Sequence, residues 1–165
     1  MRSRTAEWFE VKIRYEKTGE DGLQKKVTEK YTVDALSHTE AEERITEEMS
    51  SYISGEFDVK GIVPASYKEI FFSDNENDDK WYKAKLQFIT IDEKTDREKR
   101  SNTYYLIQAG SLGQAVKYIG EVMGGTMIDY VIASIAETTL MDVFEYKKSN
   151  SGEDIVDGKM KAAGE

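Results

Sequence analysis

The sequence predicts an α+β fold: a tandem duplication of a strand–strand–helix–strand(s) unit, with antiparallel sheet and the helices packed on one face. Three observations carry this. Trp8-Phe9-Glu10-Val11-Lys12-Ile13-Arg14-Tyr15 returns 73 residues later as Trp81-Tyr82-Lys83-Ala84-Lys85-Leu86-Gln87-Phe88, tryptophan on tryptophan and apolar on apolar. Both copies alternate with period two, the mark of a half-buried strand. Downstream of each copy stands a capping box, Ser37-His38-Thr39-Glu40 and Ser111-Leu112-Gly113-Gln114, in which a hydroxyl and a carboxylate or amide satisfy the open N–H groups of a helix start. Turn, cap, helix and strand agree in both copies, which outweighs any single motif.

Taken in order, Phe9, Val11, Ile13 and Tyr15 share one face of the first strand, and Trp8, Glu10, Lys12 and Arg14 the other. Lys17 to Gly22 suits a hairpin turn, and a second strand follows from about Gln24 to Ala35. Ala41, Ile45 and Met49 then form the apolar stripe of a helix that Ser54-Gly55 stops. Phe57 to Tyr67 and Tyr67 to Phe72 read as extended, with Pro64 at a bulge or corner. The second unit repeats this order: a strand to about Ile91, a hairpin over 92–100, a strand near Asn102 to Gln108, a helix carrying Ala115, Ile119 and Met123, a stop at Gly124-Gly125, and strands from Tyr130 to Ala136 and from Leu140 to Tyr146. The chain thus divides into an N-terminal arm (1–7), a first ββαβ repeat (8–72), an acidic connector (73–80), a second ββαβ repeat (81–146) and a tail (147–165), which is poor in large apolar residues and expected to be mobile.

The balance of 23 basic against 32 acidic residues, a formal charge of −9, opposes broad binding to nucleic acid or anionic membrane, though not a local basic strip. No cysteine is present, so thiol catalysis and cysteine-bound zinc are excluded. The single histidine, His38, sits in a helix first turn and reads as a surface residue. No run approaches the length of a membrane span. The N-terminus is basic without a following apolar core, unlike a signal peptide, so the expected location is cytoplasmic. Walker, GxGxxG, GxSxG and HExxH patterns are absent. Gly120 to Gly125 reads as a helix stop rather than a phosphate loop. The connector lacks the glycine and terminal glutamate of a calcium loop, so it reads as a solvated linker and no metal site is expected. Neither catalysis nor a cofactor is expected.

Trp8–Tyr15, Gln24–Ala35, Glu69-Ile70-Phe71-Phe72-Ser73-Asp74-Asn75-Glu76, Phe88-Ile89-Thr90-Ile91-Asp92-Glu93 and Asp129-Tyr130-Val131-Ile132-Ala133-Ser134 together resemble an uncharacterised domain family, a domain of unknown function, of Bacteroidota bacteria and their phages. The resemblance spans roughly 8–146. It implies a cytoplasmic protein of such a bacterium or phage and transfers no functional residue.

The candidate ligand-binding residues are Trp8, Lys12, Arg14, Trp81, Lys83 and Lys85, all on strand faces turned away from the helices. A tryptophan beside lysines can stack a ring and neutralise a phosphate. The structural alternative is that the tryptophans cover a sheet edge or make a subunit interface, with the lysines snorkelling. The expected function is that of a non-enzymatic phage or bacterial binding protein, holding a nucleotide-like anionic ligand such as an immune signalling nucleotide. The alternatives are a nucleic-acid-binding accessory protein of replication or recombination, which the net charge disfavours, and a structural or protein-interaction module. Exposed sheet edges lead us to expect a homodimer or higher oligomer.

Overall fold

The structure is a computed structural model and describes residues 1–146, so the expected tail (147–165) lies outside the described residues. Nine strands and two helices follow one another among these: β1 (Arg2–Thr5), β2 (Trp8–Thr18), β3 (Gln24–Asp34), α1 (His38–Ser50), β4 (Phe57–Pro64), β5 (Glu69–Phe72), β6 (Lys80–Ile91), β7 (Glu98–Ala109), α2 (Leu112–Gly124), β8 (Asp129–Glu137) and β9 (Leu140–Phe144). The fold is α+β. Each half runs strand–strand–helix–strand–strand. Ser37 and Ser111 are both N-caps, accepting from the N–H groups of Glu40 and Gln114. Their partners Glu40 and Gln114 reach back to the N–H groups of Leu36 and Gly110, closing both capping boxes.

Two long antiparallel hairpins, β2–β3 and β6–β7, form the frame. The first turns at Gly22, whose φ of +80° suits glycine, and the second at Asp96 with φ 57°, a region aspartate tolerates. Strand β4 flanks β2 and β8 flanks β6, both antiparallel. Pro64 ends β4 at the corner before β5, the second of the two places expected for it, and each flanking strand carries its one bulge elsewhere, at equivalent positions. Lys12 faces Gly61 while Ile13 faces Val59, leaving Lys60 extra; Lys85 faces Ser134 while Leu86 faces Ile132, leaving Ala133 extra.

The last strand of each half crosses over. β5 pairs parallel with β7, Ile70 beside Leu106, and β9 pairs parallel with β3, Thr32 beside Val143. The result is not one antiparallel sheet but two mixed ones, a five-stranded β1-β5-β7-β6-β8 and a four-stranded β4-β2-β3-β9. Helix α1 buries Ala41, Ile45 and Met49 on Phe9, Val11, Ile13 and Val33 of the four-stranded sheet. Helix α2 buries Ile119 and Met123 on Ala84, Leu86 and Ile107 of the five-stranded sheet. The opposite faces of the two sheets share a third core, built from Trp8, Leu140 and Val143 on one side, Ile70, Phe72, Trp81 and Leu106 on the other, and Tyr67 from the β4–β5 loop. Burial and the neighbouring Glu10 carboxylate push the Tyr67 phenol up, so it stays protonated. Its hydroxyl donates to Glu10 and bonds the Thr32 hydroxyl, each at 2.8 Å.

Residues 2–5, expected within a short N-terminal arm, form a strand, paired with β5 from Arg2 beside Phe72 to Thr5 beside Glu69. Its backbone belongs to the five-stranded sheet, while its arginines reach the four-stranded one. Arg2 and Arg4 both pair with Glu145, and Arg4 also with Asp34, which Arg44 of α1 holds from the other side at 2.8 Å. Burial alone would raise the Glu145 carboxyl, but Arg2 and Arg4 outweigh it and hold it below the usual carboxylate range. A carboxylate depressed in the folded state stabilises fully above its unfolded pKa of about 4.3, and that contribution is lost as the pH falls through the folded value. Glu145→Gln is therefore expected to cost on the order of 1 kcal/mol at neutral pH, discounted because its partners are solvent-screened. The cost should vanish below the folded pKa. Urea midpoints of parent and variant across the acid range check this, and a gap that ignores pH contradicts it.

Candidate functional site

The six residues expected to bind ligand do not form one surface. Trp8 is 2% and Trp81 3% exposed, both in the core between the sheets. They do point away from the helices, but the other sheet covers that face. The Trp8 indole N–H donates to the Lys68 carbonyl at 2.9 Å, and Trp81 packs edge-on to Phe72 with centroids 5.7 Å apart. Neither ring is available to stack on a ligand, which corrects that part of the expectation.

The four cations lie farther along the strands, beyond the shared core, and fall into two pairs on different sheets. Lys12 and Arg14 are exposed on β2. Lys12 lies opposite Lys30, whose ammonium pairs with Glu10 at 3.4 Å. An acid on this face therefore offsets part of the positive charge. On β6 the position equivalent to Glu10 is Lys83. Lys83 is exposed and Lys85 half-buried, two residues apart on one strand face, which spaces them about 7 Å along the strand. Among the described residues neither ammonium has an ion-pair or hydrogen-bond partner.

Lys83 and Lys85 share a cavity of about 180 Å³ with Tyr104, Ser134, Glu137 and Thr138. The strand register explains the set. Lys85 stands between Tyr104 of β7 and Ser134 of β8, and the bulge at Ala133 is what brings Ser134 opposite it. Thr138 forms the floor: its hydroxyl donates to the Trp81 carbonyl at 2.9 Å and its N–H to the same oxygen at 2.8 Å. The backbone at Trp81 thus anchors the strand end beside the lysines. Glu137 stands on the rim and pairs with neither lysine. Beyond Tyr104 lies a second cavity of about 290 Å³, with Ser66, Glu69 and Asn102 among its lining, where β5 leaves the edge of β7. Lys12 and Arg14 line neither cavity.

Two ammonium groups without a direct ion-pair partner repel each other, and with Glu137 as the one acid in the cavity lining an anion between them would relieve that repulsion. The half-buried position of Lys85 lowers the local dielectric and strengthens such a contact. Tyr104 supplies an aromatic ring and Ser134 a hydroxyl. Sequence reading missed both. Tyr104 could have been found by counting the β6–β7 register from the hairpin, but the second strand was expected to be too short for that count. Ser134 depends on the bulge, which no local residue announces.

The remaining candidates for chemistry are placed elsewhere. His38 packs its ring edge-on against Phe9 at 5.2 Å. Asp78, expected in a solvated linker, is buried, accepts from the Tyr118 hydroxyl at 2.6 Å and from Ser73, and so joins the connector to α2. Among the described residues no three His, Cys, Asp or Glu side chains are grouped as a metal ion requires, and no helix is long and apolar enough to cross a membrane.

No curated protein and no solved structure matches the chain. A family model does, over residues 7–146, a span that takes in both hairpins, both helices, both exchanged strands and both cavities apart from Thr5. The chain belongs to the family described as Domain of unknown function (DUF4494).

Proposed function

We propose that this chain is a non-enzymatic binding protein for a nucleotide-like anionic small molecule, held by Lys83 and Lys85. The observation that carries the reading is the pair of unpartnered lysines in one cavity, where the matching face of the other half holds an acid. Lysine meets phosphate as a point charge, and Tyr104 offers the ring platform that the buried tryptophans do not. The polar cavity beyond Tyr104 gives room for a base or sugar. A small ligand suits a chain of formal charge −9 better than a polyanion, whose long-range approach that charge opposes. Ligand held without turnover is sequestered, and sequestration of a signalling nucleotide in the cytoplasm of a bacterial or phage-infected cell is the use this reading assigns.

The test is thermal stability in the presence of inorganic pyrophosphate, nucleoside mono- and triphosphates and cyclic dinucleotides, with the ligand recovered and weighed afterwards by mass spectrometry. A true ligand at a hundred times its Kd adds about 2.7 kcal/mol to stability and is recovered intact. Lys83→Glu with Lys85→Glu should abolish the shift while leaving circular dichroism unchanged. The reading fails if no phosphate-bearing ligand stabilises the protein at millimolar concentration, and equally if the double variant responds like the parent. A response confined to labelled oligonucleotide, with a steep salt dependence, would favour nucleic acid instead.

A further inference from the structure

The two flanking strands, β4 and β8, occupy equivalent places but are protected very differently. An open strand edge invites pairing with another chain, and proteins blunt it with charge, proline or a bulge. β4 uses all three: Asp58, Lys60 at the bulge and Pro64 at the end. At the matching positions β8 has Val131, Ala133 and Glu137. The run from Tyr130 to Ala136 contains no charge and no proline, and only the bulge remains.

The helices differ in the same sense. α1 carries His38, Glu42 and Glu48 where α2 carries Leu112, Val116 and Val122. Leu112 is 48% and Val116 40% exposed, and Met127 and Ile128, which lead into β8, are exposed as well. Ile135 of β8 packs against the cluster that holds Ala115 of α2, so helix and strand edge adjoin. Charge is absent from the Tyr130–Ala136 run of β8 and sparse on the adjoining α2, where Lys117 and Glu121 are the charged residues and offset each other, in a chain otherwise rich in acid.

We infer that the edge of β8 and the exposed side of α2 form the docking surface for a second copy of this chain. Antiparallel pairing of β8 with its counterpart about a twofold axis is self-complementary and closes the assembly at two. Two chains of like charge repel over most of their surface, the glutamate face of α1 above all, and this wall is where they approach with least repulsion. Its size is sufficient. Nine strand residues span about 30 Å, and strand edge plus helix stand about 20 Å high. That gives roughly 600 Å² per copy and about 1,200 Å² in all, the lower bound of a standard specific interface. Asp129 and Glu137 end the uncharged run and confine pairing to the residues between them. One consequence rests on the anion-binding reading above: two Lys83–Lys85 pairs would share one continuous sheet face, three strand spacings or about 14 Å apart, suited to a ligand with two phosphates.

The experiment is sedimentation equilibrium of the full chain at tens of micromolar. The parent should weigh twice the single chain. Ala133→Lys, which restores the kind of residue that blunts β4, should give the single-chain mass, and Lys60→Ala should stay dimeric. Val116→Glu, on an exposed helix position, should weaken the dimer at least tenfold and decides the matter if Ala133→Lys does not fold by circular dichroism. A monomeric parent overturns the inference, as does a folded Ala133→Lys that dimerises as tightly as the parent. Neither result bears on pyrophosphate or nucleotide binding by the single chain, so the two proposals fail separately.

Discussion

Trp81→Ala is expected to remove about 3–5 kcal/mol of stability, the usual cost of deleting a fully buried tryptophan. Against a total of roughly 5–15 kcal/mol for a native domain, that leaves the protein marginal or unfolded. Trp81 is 3% exposed and sits where the two sheets meet, with Phe72 edge-on to it and Ile70, Leu106, Leu140 and Val143 in the same cluster. Its loss leaves a cavity that neither sheet can fill alone. Trp8→Ala should cost as much, since it also removes the indole hydrogen bond to the Lys68 carbonyl, which keeps only the one from the Ala6 N–H. Urea denaturation followed by far-ultraviolet circular dichroism measures both. A Trp81→Ala protein as stable as the parent would show that the ring is not structural.

Dividing the chain at the exposed Glu76–Asn77 link is expected to leave neither fragment with a cooperative melt, and mixing the fragments should restore one. Each half is completed by the other. Without β6–β9 the first half keeps β5 but not β7, its pairing partner, and leaves β3 without β9. It also loses Trp81, Leu106, Leu140 and Val143 from the central core, half of that cluster. Two ordinary tandem domains would behave oppositely, each melting alone. A cooperative transition in either isolated fragment contradicts the exchange of strands.

Local order was legible in the sequence because local physics sets it. Period-two alternation placed Phe9, Val11 and Ile13 against α1, and the serine caps placed both helix starts. Helix ends were less legible: α1 stops at Ser50, before the Ser54-Gly55 signal, as the Ser51 and Tyr52 N–H groups bond back three residues to Glu48 and Met49 and tighten the last turn. What the sequence hid is long-range. β5 and β9 are four and five residues long, too short for their pattern to name a partner, so their crossing to the opposite hairpin was invisible. That crossing brings the two tryptophan faces together. The same residues therefore read correctly as turned from the helices and incorrectly as open to ligand. β1 escaped notice for a related reason: Arg2 and Arg4 read as a basic arm, whereas their guanidiniums serve Glu145 and Asp34 from the far end of the fold.

The central claim, that ligand binding belongs to the lysines of β6 and not to a face repeated in both halves, is tested most directly by one comparison. Lys12 and Lys85 occupy the same place in the two halves, yet of the two cavities described above Lys85 lines one and Lys12 neither. Calorimetric titration of whichever phosphate compound stabilises the protein, into the parent, Lys12→Glu and Lys85→Glu, separates them. Lys85→Glu should weaken binding at least tenfold, about 1.4 kcal/mol, and Lys12→Glu less than twofold. Equal losses in both variants, or full affinity in Lys85→Glu, would contradict it.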